Sequence, residues 1–509
     1  MRQNNEKIAA SIEELATVLR QLPPAKRIVL CHGVFDLLHI GHIRYFEQAR
    51  TFGDILVVTI TPDRFVDKGP HRPAFSEKLR AEAVASLSCV DYVAINQWPT
   101  AEQTMRQLKP HVYVKGMEFK DATGDPTGKI AREAKAAEEM GIAIRFTGDI
   151  VFSSSHLINT CLSNLPQEMD DYMRVFRRRN SLDDIRTVLD RMAGLKVLVL
   201  GDAIMDAYQY CEAIGKSSKD PTLVVRRQSE DIFAGGVLAV ANHVAGFAGR
   251  VDLVTVLGAR ESYEQLIRSS LHTNVTPHFL FSPDAPTMLK RRFVDGYSLN
   301  KLLEIYVCGD DRLPEHVARQ LRALLTERIA GYDLVICADF GHGVISRETA
   351  RLLAEQAPFL AVNTQANAGN RGFHVITRYP RMDYGCLAKH ELDLESRDRN
   401  GPVRPHMDRL LRQLGGRCFT VTLGRKGCAV SNRDEEFVFV PALARKIVDR
   451  VGAGDALFAV TSLAAFLDVE SELLAFLGNV AGSLAVEVIG NKKTINRETA
   501  LKYITALMK

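Results

Sequence analysis

Residues 27–50 read RIVLCHGVFDLLHIGHIRYFEQAR: a strand-like apolar run ending at Cys31 or His32, then Gly33, then a helical segment that starts near His39. A strand, a turn and a helix in that order put a helix N-terminus at the carboxyl edge of a parallel sheet. Unpaired backbone N–H groups and the helix dipole attract phosphate there. His39 and His42, three residues apart, share one face of the first turn and can aim two N–H donors at one phosphate, while Gly41 keeps a side chain out of the way. Such donors act most strongly where charge builds on an α-phosphate under in-line attack, which is the demand of nucleotidyl transfer.

Outward from this stretch, strand and helix alternate through DILVVTIT, a helix around EKLRAEAVASL, VDYVAI and HVYVKG, which predicts a parallel sheet with crossover helices. A second series opens at KVLVLGD (196–202) and continues through RVDLVTVLG, YDLVICADFGHG, PFLAVNT and CFTVTLGRKG. The fold class expected is therefore α/β, with two doubly wound parallel-sheet domains spanning 25–160 and 194–509. Residues 161–193, charged and periodic without a strand, are expected as a helical linker. No internal repeat or low-complexity segment is evident.

The bulk properties agree with an ordinary globular protein of two or three domains. The chain has 509 residues, 46% of them hydrophobic and 25% charged, and a formal charge of +4, which gives no reason to expect nucleic acid as a partner. Nine cysteines stand singly without CxxC spacing, which suits a reducing compartment. Neither a signal-peptide core nor a run of about 20 apolar residues is present, so a cytoplasmic protein without a membrane partner is expected.

Near the C-terminus stands DRVGAGDALFAV (449–460), where Gly452, Ala453 and Gly454 offer a bare backbone anion site at a helix start. Asp455 sits at the same helix start, placed to take the proton of an alcohol while the N–H groups hold a transferring phosphoryl group.

The stretch GVFDLLHIGHIRYFEQAR resembles the signature of the HxGH nucleotidyltransferase superfamily, a cytidylyltransferase-like group that joins a nucleoside monophosphate to a phosphorylated alcohol or sugar. KGPHRPAFSEKLR, YVKG and FSSSHLI are similar to later motifs of that family, so the resemblance covers almost all of residues 25–160. It implies a Rossmann-like domain in which His39, His42 and Lys68 are catalytic. By the same resemblance Gly33, Phe35, Lys115, Ser154 and Ser155 line the nucleotide, and Arg72 and Asp36 meet the substrate. Asp36 reads equally as a turn cap.

From about residue 194 onward the chain resembles the ribokinase-like carbohydrate kinases, through GDAIMDAY, GGVLAVANHVA, ADFGHG, VTLGRKG and DRVGAGD. That resemblance implies a small β lid. It also implies Asp455 as the base, Asp206, Gly235 and Gly236 at the sugar, Thr422, Gly424 and Gly427 at ATP, Asn479 near the adenine, and Glu391 as an indirect ligand of Mg²⁺. Two positions depart from the family pattern: Ala239 and Ala388 stand where asparagine is common. NTQANAGNRGF (363–373) reads either as a substrate loop or as a polar turn.

The pairing resembles the bifunctional heptose-phosphate kinases and heptose 1-phosphate adenylyltransferases, with the domain order reversed. It implies sugar phosphorylation by ATP followed by nucleotidyl transfer to a sugar 1-phosphate, giving a nucleoside-diphosphate sugar such as ADP-heptose. Mg²⁺ is the cofactor, sugar phosphate and ATP (or CTP) are the ligands, and a homo-oligomer is expected. The alternatives are a CTP-dependent cytidylyltransferase for a polyol or glycerol phosphate with a degenerate kinase domain, and a nucleotide-sensing protein without turnover.

Overall fold

The computed structural model describes residues 4–66, 73–116, 129–148, 166–309, 312–434, 436–444 and 446–508. The chain divides into two compact units, residues 1–165 with 501–509, and residues 166–500.

The first unit is built on six strands: β1 (Ile8–Ala9), β2 (Ile28–Gly33), β3 (Ile55–Ile60), β4 (Tyr92–Ile95), β5 (Val112–Gly116) and β6 (Ala143–Thr147). Their order is β1-β4-β3-β2-β5-β6 and every pairing is parallel. Both faces are covered. Val29 and Cys31 of β2 pack with Phe46, Val58 and Val84 on one side, while Leu30 packs with Leu15, Met105 and Tyr113 on the other. This is why β2 reads as an unbroken apolar run rather than an alternating one. The order of connection reverses between β2 and β5, so helix α1 (Ile40–Arg50), which follows β2, begins at a topological switch point where α/β sheets hold ligands.

In the second unit a nine-stranded sheet has the order β11-β10-β7-β14-β15-β16-β17-β18-β19. Its strands are β7 (Lys196–Gly201), β10 (Arg250–Arg260), β11 (Val275–Pro286), β14 (Leu334–Asp339), β15 (Leu360–Thr364), β16 (Tyr384–Ala388), β17 (Cys418–Thr422), β18 (Cys428–Asn432) and β19 (Phe437–Val440). The pairings from β11 to β17 are parallel, and the last two are antiparallel. A separate mixed sheet of order β13-β12-β8-β9 forms the lid, from β8 (Ala203–Lys216), β9 (Leu223–Gly236), β12 (Met288–Asp295) and β13 (Lys301–Val307).

Helices α2 (Gln167–Arg179) and α3 (Leu182–Met192) fall in the stretch expected as a linker and group with this second unit. Phe176 stacks on Phe476 with ring centroids 4.2 Å apart, and Arg191 donates to the Leu467 carbonyl. The next helices are α4 (Val237–Ala245), α5 (Lys389–Ser396), α6 (Ala453–Phe466) and α7 (Ser471–Ala485). Helix α6 is buried on nearly every side, which accounts for its lack of a polar face.

Candidate active sites

At the carboxyl end of β2 the backbone turns through two non-glycine residues in the left-handed region, Phe35 (φ 50°) and Leu37 (φ 54°), before α1 begins. Strain of this kind persists only where the surroundings hold it. Here Gly33 leaves room for the Phe35 ring, which would lie 2.9 Å from a β-carbon at that position. The carboxylate of Asp36, almost fully buried, accepts the backbone N–H groups of Ala74 (2.9 Å) and Phe75 (3.2 Å). Asp36 thereby ties the turn after β2 to the 74–75 segment.

His39 is the N-cap of α1, and its Nδ1 accepts the Gly41 N–H at 3.1 Å. In the neutral ring the proton must then lie on Nε2, which makes Nε2–H a donor. Burial holds His39 below the usual histidine range, favouring that neutral form at pH 7. The His42 ring stacks on His39 with centroids 4.0 Å apart and meets Phe35 edge-on at 5.5 Å. Both imidazoles thus stand together at the helix start.

Lys115, at the end of β5, is ion-paired at 2.8 Å with buried Glu133, which also accepts from the Tyr113 hydroxyl and the Ala101 N–H, each at 2.8 Å. Burial pushes the Glu133 carboxyl up, but the charges of Lys115 and His32 and these hydrogen bonds outweigh it and leave it below the usual range. Arg80, part of the KGPHRPAFSEKLR motif, is also committed to the protein. It is 1% exposed, donates to the carbonyls of Val34, Thr61 and Phe75, and pairs with Asp63. Lys68, Arg72, Ser154 and Ser155 lie outside the described residues.

In the second unit Gly452 caps α6 with φ 83°, and a β-carbon there would stand 2.2 Å from Asn491 Oδ1. Asp455, in the first turn of α6, is buried and accepts from Gln365 Nε2 at 3.1 Å. Burial and the nearby Asp206 carboxylate push Asp455 up to about 7, while Lys290 and Gln365 pull it down. A carboxyl with that value changes protonation state near neutral pH.

Asp206, on β8, is buried and ion-paired with Arg292 of β12, whose other nitrogen reaches Glu304 at 3.0 Å. The Gly235–Gly236 pair closes β9 against it. A β-carbon on Gly235 would lie 2.1 Å from Asp206 Oδ2, and Gly236 has φ 58°. Asp449 joins the glycine turn to the lid, accepting from the Tyr208 hydroxyl (2.6 Å), Lys301 Nζ (2.9 Å) and the Gly490 N–H (3.1 Å).

Glu391 of α5 accepts the N–H groups of Ala388 (2.7 Å) and Ala366 (3.0 Å). Burial, with a smaller push from Asp455, raises its carboxyl to about 7. Ala239, the other departure, is a buried position on α4. Thr422 ends β17, and Gly424 (φ 60°) and Gly427 (φ 107°) form the turn to β18. Asn479 is buried, its amide nitrogen donating to Val440 O at 3.3 Å and contacting Cys428 Sγ at 3.2 Å.

Sequence reasoning missed Gln365, Arg292, Lys290, Asp449 and Asn491. Gln365 carried a signal in its place in the amide-rich loop after β15, and Asp449 in its place at the head of the glycine motif. A cavity of about 320 Å³ opens beside the lid, bordered by Asp202, Leu257, Thr287, Met288 and His342. Among the described residues all eight cysteines are free, and no helix is long and apolar enough to cross a membrane.

The pattern of the pfkB family carbohydrate kinases matches residues 195–497, more than half of the chain. The chain belongs to the pfkB family of carbohydrate kinases. Ahead of the pfkB domain, residues 30–159 match the cytidylyltransferase-like family, so the protein carries a nucleotidyltransferase domain followed by a carbohydrate kinase domain.

The bifunctional protein HldE of Helicobacter pylori (strain G27) is 40% identical over 142 residues, which is 24% of this chain and 31% of that protein. HldE of Aliarcobacter butzleri (strain RM4018) is 43% identical over 117 residues, 22% of this chain and 24% of that protein. The chain thus spans about a third or less of the curated relatives it matches, and the match lies in the N-terminal part. Phosphofructokinase-2 of Escherichia coli in complex with fructose-6-phosphate shares the fold of the pfkB domain. It superposes with a TM-score of 0.51 at 17% identity over 61% of this chain and 99% of that one.

Proposed function

We propose that this pfkB protein is a bifunctional sugar-activating enzyme. The observation that supports the reading is the presence, in one chain, of two helix starts that carry candidate phosphate-handling groups: the stacked His39 and His42 rings at α1, and Asp455 with its glycine turn at α6. At the second, Asp455 takes the proton of a sugar hydroxyl as its oxygen attacks the γ-phosphorus of ATP. N–H groups around Ala453 and Gly454 hold the phosphoryl oxygens, and ADP leaves. At the first, an oxygen of a sugar 1-phosphate attacks the α-phosphorus of a nucleoside triphosphate. His39 Nε2–H and the His42 ring hold the charge that develops, and pyrophosphate leaves. The product is a nucleoside-diphosphate sugar such as ADP-heptose, with adenylyl transfer preferred over cytidylyl transfer.

Lys68, Lys115, Ser154 and Ser155 serve the nucleotide in this reading, and Arg72 serves the sugar phosphate. Mg²⁺ fits the kinase site as an ion bound chiefly by substrate phosphates. The described residues contain no cluster of three ligating groups, but Asp455 and Glu391 are two buried carboxyls, the charge of the first raising the second, a situation a cation relieves. Such an ion supplies charge neutralisation at the phosphates. We further place the enzyme in the cytoplasm, as a homo-oligomer joined through the lid, whose strands expose Ile214, Leu223, Leu303 and Ile305.

A second reading keeps only the transferase, acting with CTP on a polyol or glycerol phosphate. Ala388, in place of the family's asparagine beside Glu391, favours it. Mass spectrometry of products formed with Mg²⁺, ATP or CTP and a panel of sugars, sugar phosphates and polyol phosphates separates the two. Phosphorylated sugar and nucleoside-diphosphate sugar are expected. CDP-polyol with no sugar phosphorylation would replace the first reading by the second.

A further inference from the structure

The lid sheet carries a buried lysine, Lys290, beside the Asp206–Arg292 pair. In the register of the lid sheet Lys290 on β12 stands opposite Asp206 on β8 and Tyr306 on β13, and two residues on, Arg292 stands opposite Tyr208 and Glu304. Registered neighbours share a face, and so do residues two apart on a strand. These six side chains therefore form two rows on one face of the lid. Asp206 ties that face to the catalytic turn, because Asn491 lies between Gly235, which packs on Asp206, and Gly452, which caps the helix of Asp455.

The charges on this face are unevenly matched. Arg292 is held by Asp206 and Glu304, and Lys301 by Asp449. Lys290 is 8% exposed, its ammonium 5.1 Å from the centre of the Tyr306 ring, and among the described residues it has no carboxylate within ion-pairing distance. Burial drives it below the usual lysine range, while Asp206, Glu304 and Asp455 act at longer range to keep its charge. An enclosed ammonium without an ion-pair partner is costly, and the cost falls when an anion arrives beside it.

We propose that Lys290 is a catalytic residue of the kinase site whose ammonium takes an oxygen of the phosphoryl group passing from ATP to the sugar. The proposal rests on the kinase reading above. The bond from phosphorus to the ADP oxygen breaks, the bond to the sugar oxygen forms, and the hydroxyl proton goes to Asp455. Lys290 stabilises the charge on the transferring group and exchanges no proton. Lys290 stands opposite Asp206, against which Gly235 and Asn491 bring the glycine turn of the Asp455 helix, and Arg292, already held by two carboxylates, is not available for that task.

The test uses the full chain with Lys290→Met and Lys290→Arg. For Lys290→Met, kcat for sugar phosphorylation should fall by about 10²–10³-fold with KM for ATP within threefold, and Lys290→Arg should recover at least tenfold of the loss. Nucleotidyl transfer should be unchanged in both. An unchanged kcat with a raised KM for the sugar substrate would overturn the proposal, because Lys290 would then read a phosphate that the sugar already carries.

A second readout needs no turnover. The wild type should bind ADP with aluminium fluoride more tightly than ADP alone, and Lys290→Met should lose that gain. Failure of the wild type to phosphorylate any sugar would defeat the kinase reading alone. Equal gains in wild type and Lys290→Met would defeat the role of Lys290 whatever the kinase assay gives.

Discussion

Replacing Arg80 with methionine should unfold the nucleotidyltransferase unit at markedly lower denaturant while leaving the kinase in place. The methionine keeps much of the apolar stem but removes every donor. Three carbonyls, of Val34, Thr61 and Phe75, lose the guanidinium, and Asp63 loses its ion-pair partner. A buried acceptor left without a donor costs about 1 kcal/mol or more, so the three carbonyls together give roughly 3 kcal/mol. The Asp63 side chain is 39% exposed and rehydrates, so it adds little to that figure. Trp98 is the single tryptophan of the chain and packs at the edge of the first unit's core, so its fluorescence reports that unit. With a urea m-value of about 1–3 kcal/mol/M, the Trp98 midpoint should drop by about 1–3 M. A drop of less than about 0.3 M would refute the reasoning, since it would mean the bonds around Arg80 do not hold the 34, 61–63 and 75 segments together.

Other perturbations separate chemistry from stability. His39→Asn keeps a good helix N-cap but removes the imidazole, so nucleotidyl transfer should fall by about 10²-fold or more while the unfolding free energy reported by Trp98 changes by less than about 0.5 kcal/mol. Because Asp455 must be ionised to act as a base and is pushed up to about 7, kinase kcat/KM should fall roughly tenfold per pH unit below that value and level off above it. A profile flat down to pH 5 would remove Asp455 from that role. Gly235→Ala would bring a β-carbon within 2.1 Å of Asp206 Oδ2, so the Asp206–Arg292 pair must shift and KM for the sugar should rise at least tenfold, measurable by initial rates at saturating ATP.

Much of the fold was legible because its strands are local and buried on both faces. The runs at β2, β3, β4, β5, β7, β14 and β15 stand out as apolar blocks between helical patterns. β16 is a five-residue run inside a polar context and β6 a half-buried edge strand, and neither carries a clear local pattern. In β8 the burial changes along its length from inside to exposed, so it carries no single period, and the lid was expected from resemblance alone. The site divides the same way. The histidine pair and the glycine turn with Asp455 are written in consecutive residues, whereas the Asp206–Arg292 pair joins positions 86 apart and depends on sheet register, which no local pattern encodes. Lys115 shows the converse: a cation expected at the nucleotide is partnered by Glu133.

In the proposed reading two sites in one chain carry consecutive steps. The most direct measurement follows products by mass spectrometry for Asp455→Asn, for His42→Ala, and for the two mixed, with Mg²⁺, ATP and the sugar substrate. The expected result is no phosphorylated sugar from the first, phosphorylated sugar without nucleoside-diphosphate sugar from the second, and nucleoside-diphosphate sugar restored in the mixture. Sugar phosphorylation undiminished in Asp455→Asn, or nucleotidyl transfer undiminished in His42→Ala, would contradict the assignment of the two sites.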